Sequence, residues 1–159
     1  QSCRSHALAQ NSKDDPVGLQ EYSETEGEAG TSRINSFCYT LAMEKRTGQC
    51  HCGAVKYEVL LDLTHPVIEC NCSHCGVKSL LLSAAPQSDL SITSGDDQLT
   101  EYRFNTEKIS HRFCKICGVQ PLATAPDKTG TLMSMINVRT IDGIDIAALA
   151  RMPYDGKSI

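Results

Sequence analysis

The chain has 159 residues and a formal net charge of −4, which argues against a broad electrostatic footprint on nucleic acid or on an acidic membrane surface. That length suits one compact domain with an extension, and no apolar run approaches membrane-spanning length. An apolar fraction of 40% without Trp leaves few large side chains for a core, so the nine cysteines become the first question.

Residues 1–46 are rich in Ser, Asn, Gln, Gly and acids, among them Asp14, Asp15, Glu21, Glu24, Glu26 and Glu28. No apolar period runs through them, which predicts a disordered or loosely attached acidic tail. Cys3 and Cys38 fall here without neighbouring partners and are read as unpaired thiols. The acidity argues against a mitochondrial presequence, and no charged start with an apolar stretch and cleavage site marks secretion. A reducing compartment is therefore expected, the cytoplasm first and the nucleus as its alternative.

One folded domain is expected over 47–159. After Thr47 short β-branched and aliphatic runs alternate with Gly, Pro, Asn, Asp and Ser, the texture of a mainly β fold. Strands are predicted over 54–60, 67–70, 80–83, 90–93, 99–104, 109–113 and 132–138. In the first of these Val55, Tyr57 and Val59 alternate with Lys56 and Glu58, the period of a half-buried strand. Ser94-Gly95-Asp96-Asp97 reads as a hairpin turn. One short helix is expected over 144–152, ended by Pro153.

Seven of the cysteines form three clusters, Cys50-His51-Cys52-Gly53, Cys70-Asn71-Cys72-Ser73-His74-Cys75 and Cys114-Lys115-Ile116-Cys117-Gly118. In an extended segment residues i and i+2 share a face, so Cys50 and Cys52 can offer two sulfurs to one ion. A C-x-x-C turn brings Cys114 and Cys117 together, and two plus two completes a closed tetrahedral thiolate site. Cys70, Cys72 and Cys75 are then left as three ligands of a second zinc, one fewer than a structural site uses, which is the arrangement of a chemically active ion. His51, His74 and His111 are each near enough to replace a sulfur. An imidazole from His74 in particular would close the second site. The alternative to metal is a disulfide or redox framework, with Cys72 and Cys75 as its switch.

On these residues the chain resembles the glutathione-dependent formaldehyde-activating enzymes and their centromere protein V relatives (the GFA/CENP-V domain). The resemblance rests on Gly48-Gln49-Cys50-His51-Cys52-Gly53-Ala54-Val55, on the central cysteine cluster, and on Phe113-Cys114-Lys115-Ile116-Cys117-Gly118. Ser94-Gly95, Leu99 with Tyr102 and Phe104, 136–139 and Asp155-Gly156-Lys157 add to it. It implies an Mss4-like (β-tent) zinc-binding fold, a structural zinc on Cys50, Cys52, Cys114 and Cys117, and a catalytic zinc on Cys70, Cys72 and Cys75. The implied activity is a carbon–sulfur lyase or synthase that joins glutathione and formaldehyde, with a small-molecule thiol as partner. The alternative within the resemblance is a non-enzymatic zinc scaffold of the centromere protein V type.

Two departures stand out. The family commonly has a basic pair after Cys75, where Gly76-Val77-Lys78 leaves one cation, and it usually continues with an aromatic residue and an acid where this chain ends at Lys157-Ser158-Ile159. A shortened C-terminus is the expectation. Three thiolates on zinc carry a net negative charge, so nearby cations are wanted, and Lys78, Lys115 and Arg139 are the candidates for that task or for gripping substrate carboxylates. Lys108, His111, Arg112 and Lys115 form a candidate basic patch.

Overall fold

The computed structural model describes residues 43–158, so most of the segment expected as an acidic tail, with Cys3 and Cys38, lies outside the described residues. The first strand, β1 (Glu44–Gln49), starts three residues before the expected boundary at 47. It pairs antiparallel with β2 (Lys56–Leu61), Glu44 opposite Leu61 and Gln49 opposite Lys56. The pairing supplies the order that its polar composition does not advertise, since ladder hydrogen bonds are indifferent to side-chain polarity.

Among the described residues two sheets make up the fold. β1, β2 and β5 (Leu90–Ser94) form a three-stranded sheet. The larger sheet has the order β10-β3-β4-β9-β8-β7-β6, with β3 (Val67–Cys70), β4 (Leu82–Pro86), β6 (Leu99–Tyr102), β7 (Ser110–Cys114), β8 (Leu122–Pro126), β9 (Leu132–Asn137) and β10 (Arg151–Tyr154). Its neighbours are antiparallel except β10, which runs parallel to β3. The architecture is mainly β, as expected.

The core follows from strand alternation. Tyr57, Val59 and Leu61 on β2 point inward and meet Val67, Leu81, Ala85, Leu90, Leu122, Ile136, Val138 and Ile141, sealing the two sheets together. Each large apolar side chain so buried stabilises the fold by roughly 1.5–3 kcal/mol. Consecutive residues on a strand face opposite ways, so the neighbours Ala123 and Met135 join a second cluster on the far face, with Ile68, Cys75, Leu80, Leu82, Ala125 and Tyr154. The central cysteines are carried on that second face. A third cluster, Cys50, Val55, Leu99 and Cys114, surrounds the other cysteine group.

Four expectations are corrected. Residues 144–152 do not form a helix: turns precede the strand β10, and Ile144, Ile146 and Leu149 only partly pack on the core. Their spacing lacks a helical stripe, and Pro153 is tolerated because β10 is an edge strand. Ser94-Gly95-Asp96-Asp97 is a turn but not a hairpin, since β5 belongs to the small sheet and β6 to the large one. Gly95 sits at φ 72, and a Cβ there would collide with the carbonyl of Ala54, so the crossing requires glycine. β8 escaped notice because Leu-Ala-Thr-Ala-Pro has little β-branched character; its small side chains suit a strand flanked closely by β7 and β9. The segment after Cys72 is a short helix, α1 (Ser73–Lys78), ending at Ser79 in the left-handed region, φ 50.

Candidate metal centres

The four-cysteine group is built from two similar turns. Cys50 donates its N–H to the carbonyl of Val55 and Cys114 does the same to Val119, 3.0 and 2.9 Å. Gly53 and Gly118 occupy the left-handed region at φ 73 and 74, where a side chain would be strained. Cys50 and Cys52 therefore converge through a turn rather than along an extended strand. Their sulfurs are 3.5 Å apart, and Cys52 Sγ lies 3.8 Å from Cys114 Sγ across 62 residues of sequence. All four sulfurs, with Cys117, fall within 4.8 Å of one another.

These separations fit a metal. Four sulfurs at about 2.3 Å from a tetrahedral zinc stand about 3.8 Å from each other, whereas a disulfide needs about 2.05 Å. All seven cysteines of the three clusters are free thiols, which removes the disulfide framework for them. Hydrogen bonds split the group: partial burial raises the pKa of Cys117, yet N–H groups near Val119 and Cys52 outweigh that and draw it down to about 6, while Cys52, against an N–H near Ala54, is pushed up to about 11 by burial and the other sulfurs.

Cys70, Cys72 and Cys75 form the second group, their sulfurs within 4.8 Å of one another. Cys70 ends β3, Cys72 is the N-cap of α1 and Cys75 lies in its first turn, buried. The N–H of Cys72 points at Cys70 Sγ, 3.5 Å, and that of Cys75 at Cys72 Sγ, 3.4 Å. Donation from Cys75 and from backbone N–H groups lowers Cys70 to about 6, against its burial, while the same bond to Cys70 raises Cys75. The pair thus favours a thiolate at Cys70 with Cys75 as its donor, the chemistry wanted of a soft-metal donor set.

The C-terminal strap completes this group. Asn71 donates to Asp155 Oδ1 at 2.8 Å and accepts the N–H of Lys157 at 3.0 Å, while its own N–H reaches the carbonyl of Tyr154. Gly156 is thereby laid against the sulfurs: a Cβ there would stand 2.6 Å from Cys70 Sγ. Both donor sets thus fit metal ions and are compatible with zinc.

No histidine joins either group among the described residues. His51 is exposed on the first turn. His74 turns away from the sulfurs: its Nε2 donates to Gln120 Oε1, 2.9 Å, and its ring packs 4.1 Å from His111 and 5.4 Å from Phe104. Lys78 Nζ donates to the same oxygen at 3.0 Å and rides over the Phe113 ring at 5.2 Å. Burial lowers its pKa and the charge of Cys75 opposes this; Lys78 ends α1 three residues after Cys75, so the two lie one helical turn apart.

The other proposed cations are elsewhere. Arg139 Nε donates to the carbonyl of Ser79 at the end of α1, and Lys115 Nζ to that of Asp97, beside the four-cysteine group. The basic patch does not form, because Arg112 pairs with Asp96 at 2.8 Å and His111 is buried and held down to about 4. Sequence reasoning missed Gln120 altogether. A single glutamine carries no motif signal, and its importance arises only where three side chains meet it.

Among the described residues no helix is long and apolar enough to cross a membrane. The family model of the glutathione-dependent formaldehyde-activating enzyme matches residues 45–151. The structure is similar to the crystal structure of a Rhodobacter sphaeroides protein solved in a structural genomics programme, with 31% identity, a TM-score of 0.60, and coverage of 67% of this chain and 97% of that one. With both cysteine groups assembled inside the matched span or closed by the strap that follows it, this chain belongs to the glutathione-dependent formaldehyde-activating enzyme family.

Proposed function

We propose that the protein is a zinc-dependent carbon–sulfur lyase or synthase acting on a thiol adduct, of the S-(hydroxymethyl)glutathione synthase kind. Family membership links it to formaldehyde and glutathione chemistry. The finer reading rests on one observation: three sulfurs converge at Cys70, Cys72 and Cys75 while the nearest imidazole, His74, is engaged with Gln120. In this reading Cys50, Cys52, Cys114 and Cys117 hold a structural zinc and the trio holds the catalytic one. A zinc ion held by three protein ligands supplies Lewis acidity at its remaining position and favours the thiolate form of an incoming thiol.

The residues around the trio have definable tasks. In the synthase direction the thiol sulfur bonds to the aldehyde carbon, and the thiol proton ends on the aldehyde oxygen; the lyase direction reverses both changes. Lys78 brings one positive charge toward a donor set that is negative overall, so it offsets the charge gained when a further thiolate approaches. Gly156 and the strap from Tyr154 to Ser158 shield one side of the sulfurs, and backbone N–H groups orient them.

The test is to mix zinc-loaded protein with glutathione and formaldehyde and to follow adduct formation and breakdown by NMR exchange. Acceleration over the protein-free rate, absent in Cys72→Ser, is the expected result. A wild-type rate equal to the background would leave the chain as a zinc scaffold or point to a different thiol.

A further inference from the structure

Beside the cysteine trio, three chemically capable side chains converge on one amide. Gln120 is 3% exposed, and its carbonyl oxygen accepts from Asn137 Nδ2 at 3.0 Å, which fixes its backbone. Its side-chain Oε1 lies 2.9 Å from His74 Nε2 and 3.0 Å from Lys78 Nζ, and its Nε2 lies 3.4 Å from His111 Nδ1.

An ammonium can only donate. The amide oxygen must therefore face Lys78, and the amide NH2 must face His111. Because His74 shares that oxygen, its Nε2 carries the proton and its Nδ1 is bare. His111 meets a donor at Nδ1, so that nitrogen is bare and its proton resides on Nε2. One lysine thus sets the tautomers of two neighbouring imidazoles, tilted 39° to each other, through a single glutamine.

We propose that Gln120 is a positioning residue for the thiol-adduct reaction: it anchors the ammonium of Lys78, at the end of the helix that Cys72 caps and that carries Cys75, and presents His74 and His111 with their protons on Nε2. The proposal rests on the reading given under Proposed function. Lys78 uses one of its three N–H groups on Gln120, leaving others for the oxygen that gains negative charge as sulfur adds to the aldehyde carbon. Without Gln120 the flexible four-carbon stem would carry that charge to solvent.

The experiment combines long-range 1H–15N NMR of the histidine rings with kinetics on the zinc-loaded full chain. In the wild type both rings should show a protonated Nε2 and a bare Nδ1. Gln120→Glu keeps an acceptor for Lys78 and His74 but has no donor for His111, so the His111 proton should move to Nδ1. Gln120→Leu removes all three bonds and should lower kcat about ten- to hundredfold, with KM changed less than about twofold, while Gln120→Glu retains more activity than Gln120→Leu. A glutamine that merely fills space would leave the His111 tautomer unchanged in Gln120→Glu, and that result overturns the proposal. An active wild type with unaltered kcat in Gln120→Leu overturns the positioning role alone. An inactive wild type overturns the thiol reaction, and the positioning role with it.

Discussion

Gly156 is seated so closely on Cys70 that a single added methyl would stand 2.6 Å from its sulfur, and 3.0 Å from the Cβ of Cys72. The glycine is not in the left-handed region, so its requirement is one of space rather than backbone freedom.

Gly156→Ala should therefore weaken metal binding at the trio about tenfold or more while leaving the four-cysteine group loaded. Competition with a chromogenic chelator would resolve the two sites. Unchanged affinity of the weaker site would mean that the strap can lift without disturbing the sulfurs.

The two cysteine groups should respond differently to loss of one ligand. Cys114 is fully buried in a small cluster with Cys50, Val55 and Leu99, so Cys114→Ser should remove a structural ion and lower the melting temperature by more than about 10 °C. Cys72 is partly exposed at the start of a short helix, and Cys72→Ser should abolish turnover with a shift of less than about 5 °C. Metal analysis and calorimetry on both variants decide the matter; equal destabilisation would point to two structural ions.

His111 is buried, and burial, with the neighbouring His74 and Lys78, lowers its pKa from 6.5 to about 4. Between those values the unfolded chain binds a proton that the folded chain does not, so stability rises with pH across this window and is lost as pH falls from about 6.5 to 4. The contribution is at most about 3 kcal/mol. Urea unfolding at pH 7 and pH 5 should show a smaller difference between the two pH values for His111→Asn than for the wild type, which separates this group from the acid sensitivity of the cysteine sites.

Tyr57 donates its hydroxyl to Thr140 Oγ1 at 2.8 Å, because Thr140 in turn donates to the carbonyl of Asn137, 2.8 Å. Tyr57→Phe leaves Thr140 still donating and should cost about 1 kcal/mol. Thr140→Val strands a buried phenol without its acceptor and should cost more, about 1–3 kcal/mol. Denaturant midpoints at constant m-value would rank them, and the reverse order would contradict the bond direction.

Most of the strand ladder was legible where alternation was strong. Val67–Cys70 agrees with its predicted range, and β2, β5, β7 and β9 differ from theirs by one or two residues at an end. β8 and β1 were not legible, because Ala-rich and polar segments become strands through pairing partners far along the chain. The cysteine sets were readable because metal spacing is local: two sulfurs a turn apart are near each other in any fold that keeps the turn.

By itself, then, the sequence determined the mainly β character and the three cysteine clusters, each a property of a few consecutive residues. Only the tertiary structure decided that Cys52 meets Cys114, that Gly156 closes over Cys70, and that His74 turns toward Gln120 instead of the sulfurs. Those relations join residues 62, 86 and 46 positions apart, and at such separations the sheet topology, not local spacing, determines which side chains meet.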